Sequence, residues 1–122
     1  METIANMLEK ILEEILSVGG VELCALVSKQ GLLMVSREAS PGFDNEAFAA
    51  LTATLFMSAE STTMRLNKQK PKSIIVETND KKLIIYEAGP NALIVVLVSN
   101  MGFIGLILNE LKKAAEKTRN II

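Results

Sequence analysis

The heptapeptide Ala92 to Val98, Ala-Leu-Ile-Val-Val-Leu-Val, is apolar at every position, and this restricts the fold more than any other part of the chain. β-Branched residues favour an extended, pleated backbone. A strand that is apolar on both faces must be covered on both faces. The run therefore predicts a strand near the centre of a sheet that carries helices on each side. Charge-free sequence continues to Leu108, and such a stretch approaches the ~20 residues that cross a bilayer. Ser99-Asn100, Gly102 and Gly105 divide it into a short β-branched piece and a helical piece. A buried strand followed by a helix accounts for both halves, and no direct membrane insertion is expected.

The remaining elements follow from periodicity. Between Thr3 and Leu16, Ile4, Leu8, Ile11, Leu12 and Ile15 share one helical side, opposite Asn6, Glu9, Lys10, Glu13 and Glu14. Gly19-Gly20 stops that helix. Val21 to Ser28 then alternates Val21, Leu23, Ala25 and Val27 against Glu22, Cys24, Leu26 and Ser28, as a strand does. Lys29-Gln30-Gly31 supplies a tight turn into Leu32 to Ser36, predicting a hairpin. Ser40-Pro41-Gly42 marks a loop, and Asp44 is placed to cap a middle helix running to about Leu66. Asn67 to Pro71 breaks that helix. Ser73 to Thr78, Lys82 to Ala88 and Ala92 to Val98 are three β-rich runs joined by Asn79-Asp80 and Gly89-Pro90-Asn91. A last helix begins at about Met101, with Ile104, Ile107, Leu108, Leu111, Ala115 and Thr118 on one side. Its basic end carries Lys112, Lys113, Lys117 and Arg119. The order is α-β-β-α-β-β-β-α, an α/β (α+β) arrangement whose short turns favour an antiparallel sheet. With 122 residues and no linker or repeat, residues 1–122 read as one domain.

Composition narrows the function. Thirteen basic residues against 14 acids leave a net charge of −1, which gives no field for holding nucleic acid. The chain has no histidine, the side chain most used for acid–base work and metal binding near neutrality. No catalytic residue, cofactor or metal is expected. Cys24 is the one cysteine, there is no Asn-x-Ser/Thr acceptor, and a reducing cytoplasm suits such a chain. With no histidine to activate it, Cys24 reads as a small buried apolar side chain. Gly102-Phe103-Ile104-Gly105 lacks both the dinucleotide fingerprint and a phosphate loop. Arg37, Arg65 and Arg119 are the arginines available to a GTPase in trans, and none sits in a glycine-hinged loop.

The middle helix is apolar on two sides. Turning 100° per residue places Phe48, Leu51, Thr52, Leu55, Ala59, Thr62 and Leu66 on one stripe, expected to face the sheet. Ala50, Ala53, Met57 and Met64, flanked by Glu46, Glu60 and Ser61, form a second. Small residues permit close helix approach and methionine adapts to irregular surfaces, so this stripe is expected to meet a second subunit or partner. The run Lys72 to Thr78 is a candidate edge strand able to pair with its own copy. Arg65, Lys68, Lys70 and Lys72 beside it read as charges that guard such an edge, with contact to an acidic partner as the alternative.

Gly20-Val21-Glu22-Leu23-Cys24-Ala25-Leu26-Val27-Ser28-Lys29-Gln30-Gly31-Leu32, together with Ala92 to Val98 followed by Asn100-Met101-Gly102, resembles the roadblock family of dynein-light-chain-type domains. The likeness extends over nearly the whole chain. Gln30 departs from the aspartate that the family often carries before this glycine. The resemblance implies a five-stranded antiparallel sheet in the order 2-1-5-4-3, the middle helix on one face and the terminal helices on the other. It also implies a homodimer formed by third strands and middle helices: Ala50, Ala53, Met57, Met64, Ser73, Ile74, Ile75, Val76, Glu77 and Thr78. Such dimers are platforms for small Ras-like GTPases, which here would read Glu46, Ala50, Ala53, Met57 and Glu60. The expected role is a non-catalytic regulator or scaffold. The alternative is an adaptor module without a GTPase partner or a small-ligand sensor, the latter with an apolar cavity lined by residues such as Phe56 and Phe103.

Overall fold

Helix α1, Ile4–Leu16, begins where the Thr3 hydroxyl accepts a 3.1 Å hydrogen bond from the Asn6 amide, and it buries Leu8, Ile11, Leu12 and Ile15. It belongs to a computed structural model that describes residues 2–100 and 102–122. Met101, the expected start of the last helix, lies outside the described residues. Ser17 closes α1, its amide reaching the Glu13 carbonyl and its hydroxyl the Glu14 carbonyl.

Strands β1, Val21–Ser28, and β2, Leu33–Glu38, form the expected hairpin. Gly31 sits at φ +94°, and its amide bonds to the Ser28 carbonyl at 2.9 Å. The Ser28 amide reaches the Leu32 carbonyl at 2.8 Å, closing the turn. β2 starts one residue later and runs further than expected, pairing Arg37 with Cys24 and Glu38 with Leu23. An edge position tolerates those charged residues. Helix α2, Asn45–Asn67, is capped by the Asp44 carboxylate, which accepts from the Ala47 amide at 3.2 Å. It ends at Lys68, whose left-handed φ of 58° turns the chain away. β3, Ser73–Glu77, β4, Lys81–Glu87, and β5, Ala92–Ser99, follow, and α3, Ile104–Ile121, completes the chain.

All pairings are antiparallel, and the sheet order is β2-β1-β5-β4-β3. β5 lies at the centre, as its uniform apolarity requires. Ile94 and Val96 join Leu8, Ile11, Leu12, Ile107 and Leu111 in a core under α1 and α3. Leu93 and Val95 join Ala49, Ala53 and Phe56 in a second core under α2. The expected helix placement is therefore observed. β1 is covered on both faces: Cys24, buried as expected, and Leu26 lie in the first core while Ala25 and Val27 lie in the second. An irregularity between Val21 and Leu23 shifts the register against β5 and brings Val21 into the first core as well.

The charge-free run divides as expected, its first part in β5 and its last in α3. Among the described residues no helix is long and apolar enough to cross a membrane. Ion pairs bridge distant elements: Arg37 with Glu9 and Glu13, Lys81 with Glu22 at 2.7 Å, and Lys117 with Glu14 at 2.7 Å. Each is half-exposed and contributes about 0–1 kcal/mol, so the two apolar cores carry the stability.

Candidate interaction surface

α2 meets the sheet through small side chains. Ala49, Thr52, Ala53 and Phe56 are its buried residues, spaced three and four apart. Thr52 satisfies its hydroxyl within the helix, donating to the Phe48 and Ala49 carbonyls at 2.9 and 3.1 Å. At the β1–β2 turn the helix passes so close to Gly31 that an added Cβ would lie 3.3 Å from the Ala50 Cα and 3.7 Å from the Ala53 Cβ. Phe56 fills the second core, and the Lys29 ammonium stands 5.8 Å from its ring centre. Glu87 holds that ammonium at 2.8 Å.

This contact corrects the expected division of the helix. The inward row is Ala49, Thr52, Ala53 and Phe56, about one residue, or ~100°, round from the stripe expected to face the sheet. Leu51 is 70% exposed, Leu66 81%, and Leu55 also stands in solvent, so none of the three serves the core. Ala53, expected at the dimer interface and the partner surface, is 2% exposed and belongs to the second core. The physical reason is close approach: small residues let the helix lie on the hairpin turn, where leucines would hold it away. Hydrophobicity alone does not choose between two apolar sides.

The outward side is left with two apolar rows. Ala50, Met57 and Met64 repeat every seven residues on one, and Leu51, Leu55 and Leu66 stand on the other. Thr54, Ser58 and Ser61 separate them, and a shallow groove runs along Thr54, Met57, Ser58, Ser61 and Thr62. Thr54 and Thr62 spend their hydroxyls on helix carbonyls four residues back, so the ridge presents mostly methyl groups. Glu46 is exposed in the first turn of α2, beside a second shallow groove at Gly31, Leu32 and Leu33. Glu60 is half-buried, and its Oε2 is buried without a hydrogen-bond partner among the described residues. Leu51, Leu55 and Leu66 are the surface residues that the sequence reading missed. Their signal was the inward row's small residues, read one position out of phase.

β3 is an edge strand, as expected. Ile74 packs against the second core opposite Ile85, while Ile75 points the other way and is exposed. Ser73 and Val76 are half-buried, and Glu77 is exposed beside its cross-strand partner Lys82. Thr78 lies outside the strand, which corrects its expected place in it. Its amide donates to the Lys81 carbonyl at 2.9 Å and its hydroxyl accepts from the Lys81 amide at 3.1 Å, so it closes the β3–β4 turn. Arg65, Lys68, Lys70 and Lys72 are all exposed around the approach to this edge.

Cys24 is buried, 3.4 Å from the Leu12 carbonyl, and burial pushes its thiol up to about 12 against the opposing pull of Arg37. A thiol held protonated is a poor nucleophile. Among the described residues no group of three His, Cys, Asp or Glu side chains is placed to hold a metal ion. Gly102 lies where an added Cβ would meet the Val98 Cγ1 at 2.4 Å, so its role is close packing. Arg37 is held by Glu9 and Glu13, Arg119 lies against Gly89, and Arg65 is exposed in the last turn of α2. The expected cavity shared by Phe56 and Phe103 is overturned. Phe56 is sealed in the core under α2, and Phe103 is 71% exposed at the start of α3, on the other side of the sheet.

Residues 7–98 match the model of the Roadblock/LC7 domain. An uncharacterized protein of Methanocaldococcus jannaschii is 27% identical over 117 residues, covering 95% of this chain and 97% of that protein. Among solved structures, MglB with a tetrameric arrangement superposes with a TM-score of 0.92 at 21% identity, over 99% of this chain and 91% of that one. The gliding protein MglB from Thermus thermophilus gives 0.91 at 20% identity, over 99% and 92%. Likeness at these identities concerns the fold.

Proposed function

The chain belongs to the Roadblock/LC7 domain family, and from that premise we propose that it forms a homodimer serving as a non-catalytic regulator or scaffold for a small Ras-like GTPase. The observation that carries this reading is the outward side of α2. A helix of 23 residues packed on a sheet does not leave two apolar rows in water without a partner to cover them. An open β3 edge beside it offers unpaired backbone groups to a second copy. The interface then comprises Ala50, Met57 and Met64 with Ser73, Ile74, Ile75, Val76 and Glu77, and the leucine row extends it. Glu46, Ala50, Met57 and Glu60 are the residues offered to the GTPase. A reducing cytoplasm suits the single unpaired thiol of Cys24.

Two measurements test the proposal. Sedimentation equilibrium should give twice the chain mass at micromolar concentration; a monomer there would remove the dimer. Titration against Ras-like GTPases loaded with GDP or a non-hydrolysable GTP analogue should reveal binding that depends on the nucleotide. Failure to bind any of them in either state would remove the GTPase.

A further inference from the structure

On the face of the sheet away from α2, a groove of about 250 Å³ opens between α3 and the ends of β3 and β4. Lys72, Lys112 and Arg119 line it, with Tyr86, Ala115, Glu87 and Glu116. Its position is built rather than incidental. Gly89, in the β4–β5 turn, has φ +95°, and an added Cβ would lie 3.3 Å from the Arg119 Cγ. The arginine stem therefore lies against bare backbone, which limits where its guanidinium can go. Lys112 stands two helical turns earlier on α3. Lys72 is anchored from the other side, its carbonyl accepting a 2.9 Å bond from the Glu87 amide.

The charges in this groove are unbalanced. Glu87 is already held by Lys29 at 2.8 Å. Among the described residues, Lys72, Lys112 and Arg119 form no ion pair, so Glu116 is the one remaining acid against three cations. Three cations line one concave site, and an anion placed among them is attracted by each. The volume lies below the ~300–1,000 Å³ of sites for drug-sized ligands, so the occupant is compact. One guanidinium and two ammonium groups on a single groove suit a compact dianion, which has acceptors for each.

We propose that this groove binds a phosphate group, either as the free ion or as a monoester. The site lies on the other face of the sheet from the outward side of α2. It lies beside Lys72, the residue that leads into β3.

The full chain would be titrated with inorganic phosphate and, separately, with O-phosphoserine, at ionic strength held constant with chloride, following amide shifts by NMR. Saturable shifts confined to Lys72, Tyr86, Glu87 and the last three turns of α3 are expected. Lys112→Gln and Arg119→Gln should each weaken binding about tenfold, as loss of a charge-assisted hydrogen bond does. Glu116→Gln should tighten it, and Lys113→Gln, on the same helix but outside the groove, should leave it unchanged. Lys112 is exposed, so its variant reports even where Arg119→Gln disturbs the packing on Gly89. Binding of phosphate alone assigns the free ion, and binding of both assigns a site open to monoesters. Non-saturable shifts, equal loss in Lys113→Gln, or equal affinity for acetate would overturn the proposal.

Discussion

Met57 and Ala53 stand about one turn apart on α2, and the structure assigns them opposite fates under substitution. Met57 is 57% exposed, so that fraction of its side chain is free to be covered by a second copy. Full burial of a methionine contributes about 1.5–3 kcal/mol, which makes the exposed share worth roughly 0.9–1.7 kcal/mol per copy. A two-fold interface counts it twice, about 1.7–3.4 kcal/mol, or roughly twentyfold to three-hundredfold in the dimer dissociation constant. Met57→Glu removes this contribution and sets two carboxylates near each other, so the increase should be at least that large. The chain's own stability should change by less than about 0.5 kcal/mol, since the position is exposed in the monomer. Ala53→Arg should behave differently. Its side chain would enter the packed second core beside Gly31, costing several kcal/mol and unfolding much of the protein instead of merely dissociating it. Sedimentation equilibrium over a concentration series, with thermal unfolding by circular dichroism on the same samples, separates the two. A dissociation constant for Met57→Glu within threefold of the parent would refute the assignment of α2's outward side. A folded, monomeric Ala53→Arg would refute the inward row.

Three further outcomes follow from particular contacts. Phe56→Ala should destabilise the fold by about 3–5 kcal/mol in urea titrations, because the ring is fully buried in the second core. Gly31→Ala should lower the melting temperature, since it forces a side chain to a φ of +94° and sets a Cβ 3.3 Å from the Ala50 Cα; at about 1–3 kcal/mol the loss is measurable by the same titration. Cys24 should resist a maleimide in the native state and react once denaturant is added. Its folded-state thiol is held up at about 12, so protein stability should also fall as pH rises from about 9 toward that value, where the unfolded chain ionises first.

Most of the secondary structure was legible because local signals agreed: Thr3 and Asp44 cap their helices, Gly31 closes its turn, and each strand has β-branched or alternating residues. The central place of β5 followed from its uniform apolarity. The alternation along β1 does not say that both of its faces are covered, yet Cys24 and Leu26 lie in one core and Ala25 and Val27 in the other. That depends on α1 lying over it, a long-range fact with no local mark. The groove beside Arg119 was likewise invisible, since Lys72, Lys112 and Arg119 are brought together only when α3 packs against β4, whose end lies beside the residue leading into β3.

By itself the sequence determined the order of elements, the two-sided cover of the sheet, the absence of histidine and the presence of a helix apolar on two sides. Each of these depends on residue type and spacing within one segment. Only the tertiary structure decided which side of α2 faces inward. Apolar area favours burying Leu51 and Leu55, but the distance between the helix and the hairpin turn is set by the smallest side chains between them. Ala49, Thr52 and Ala53 allow that approach, and the leucines are left outward.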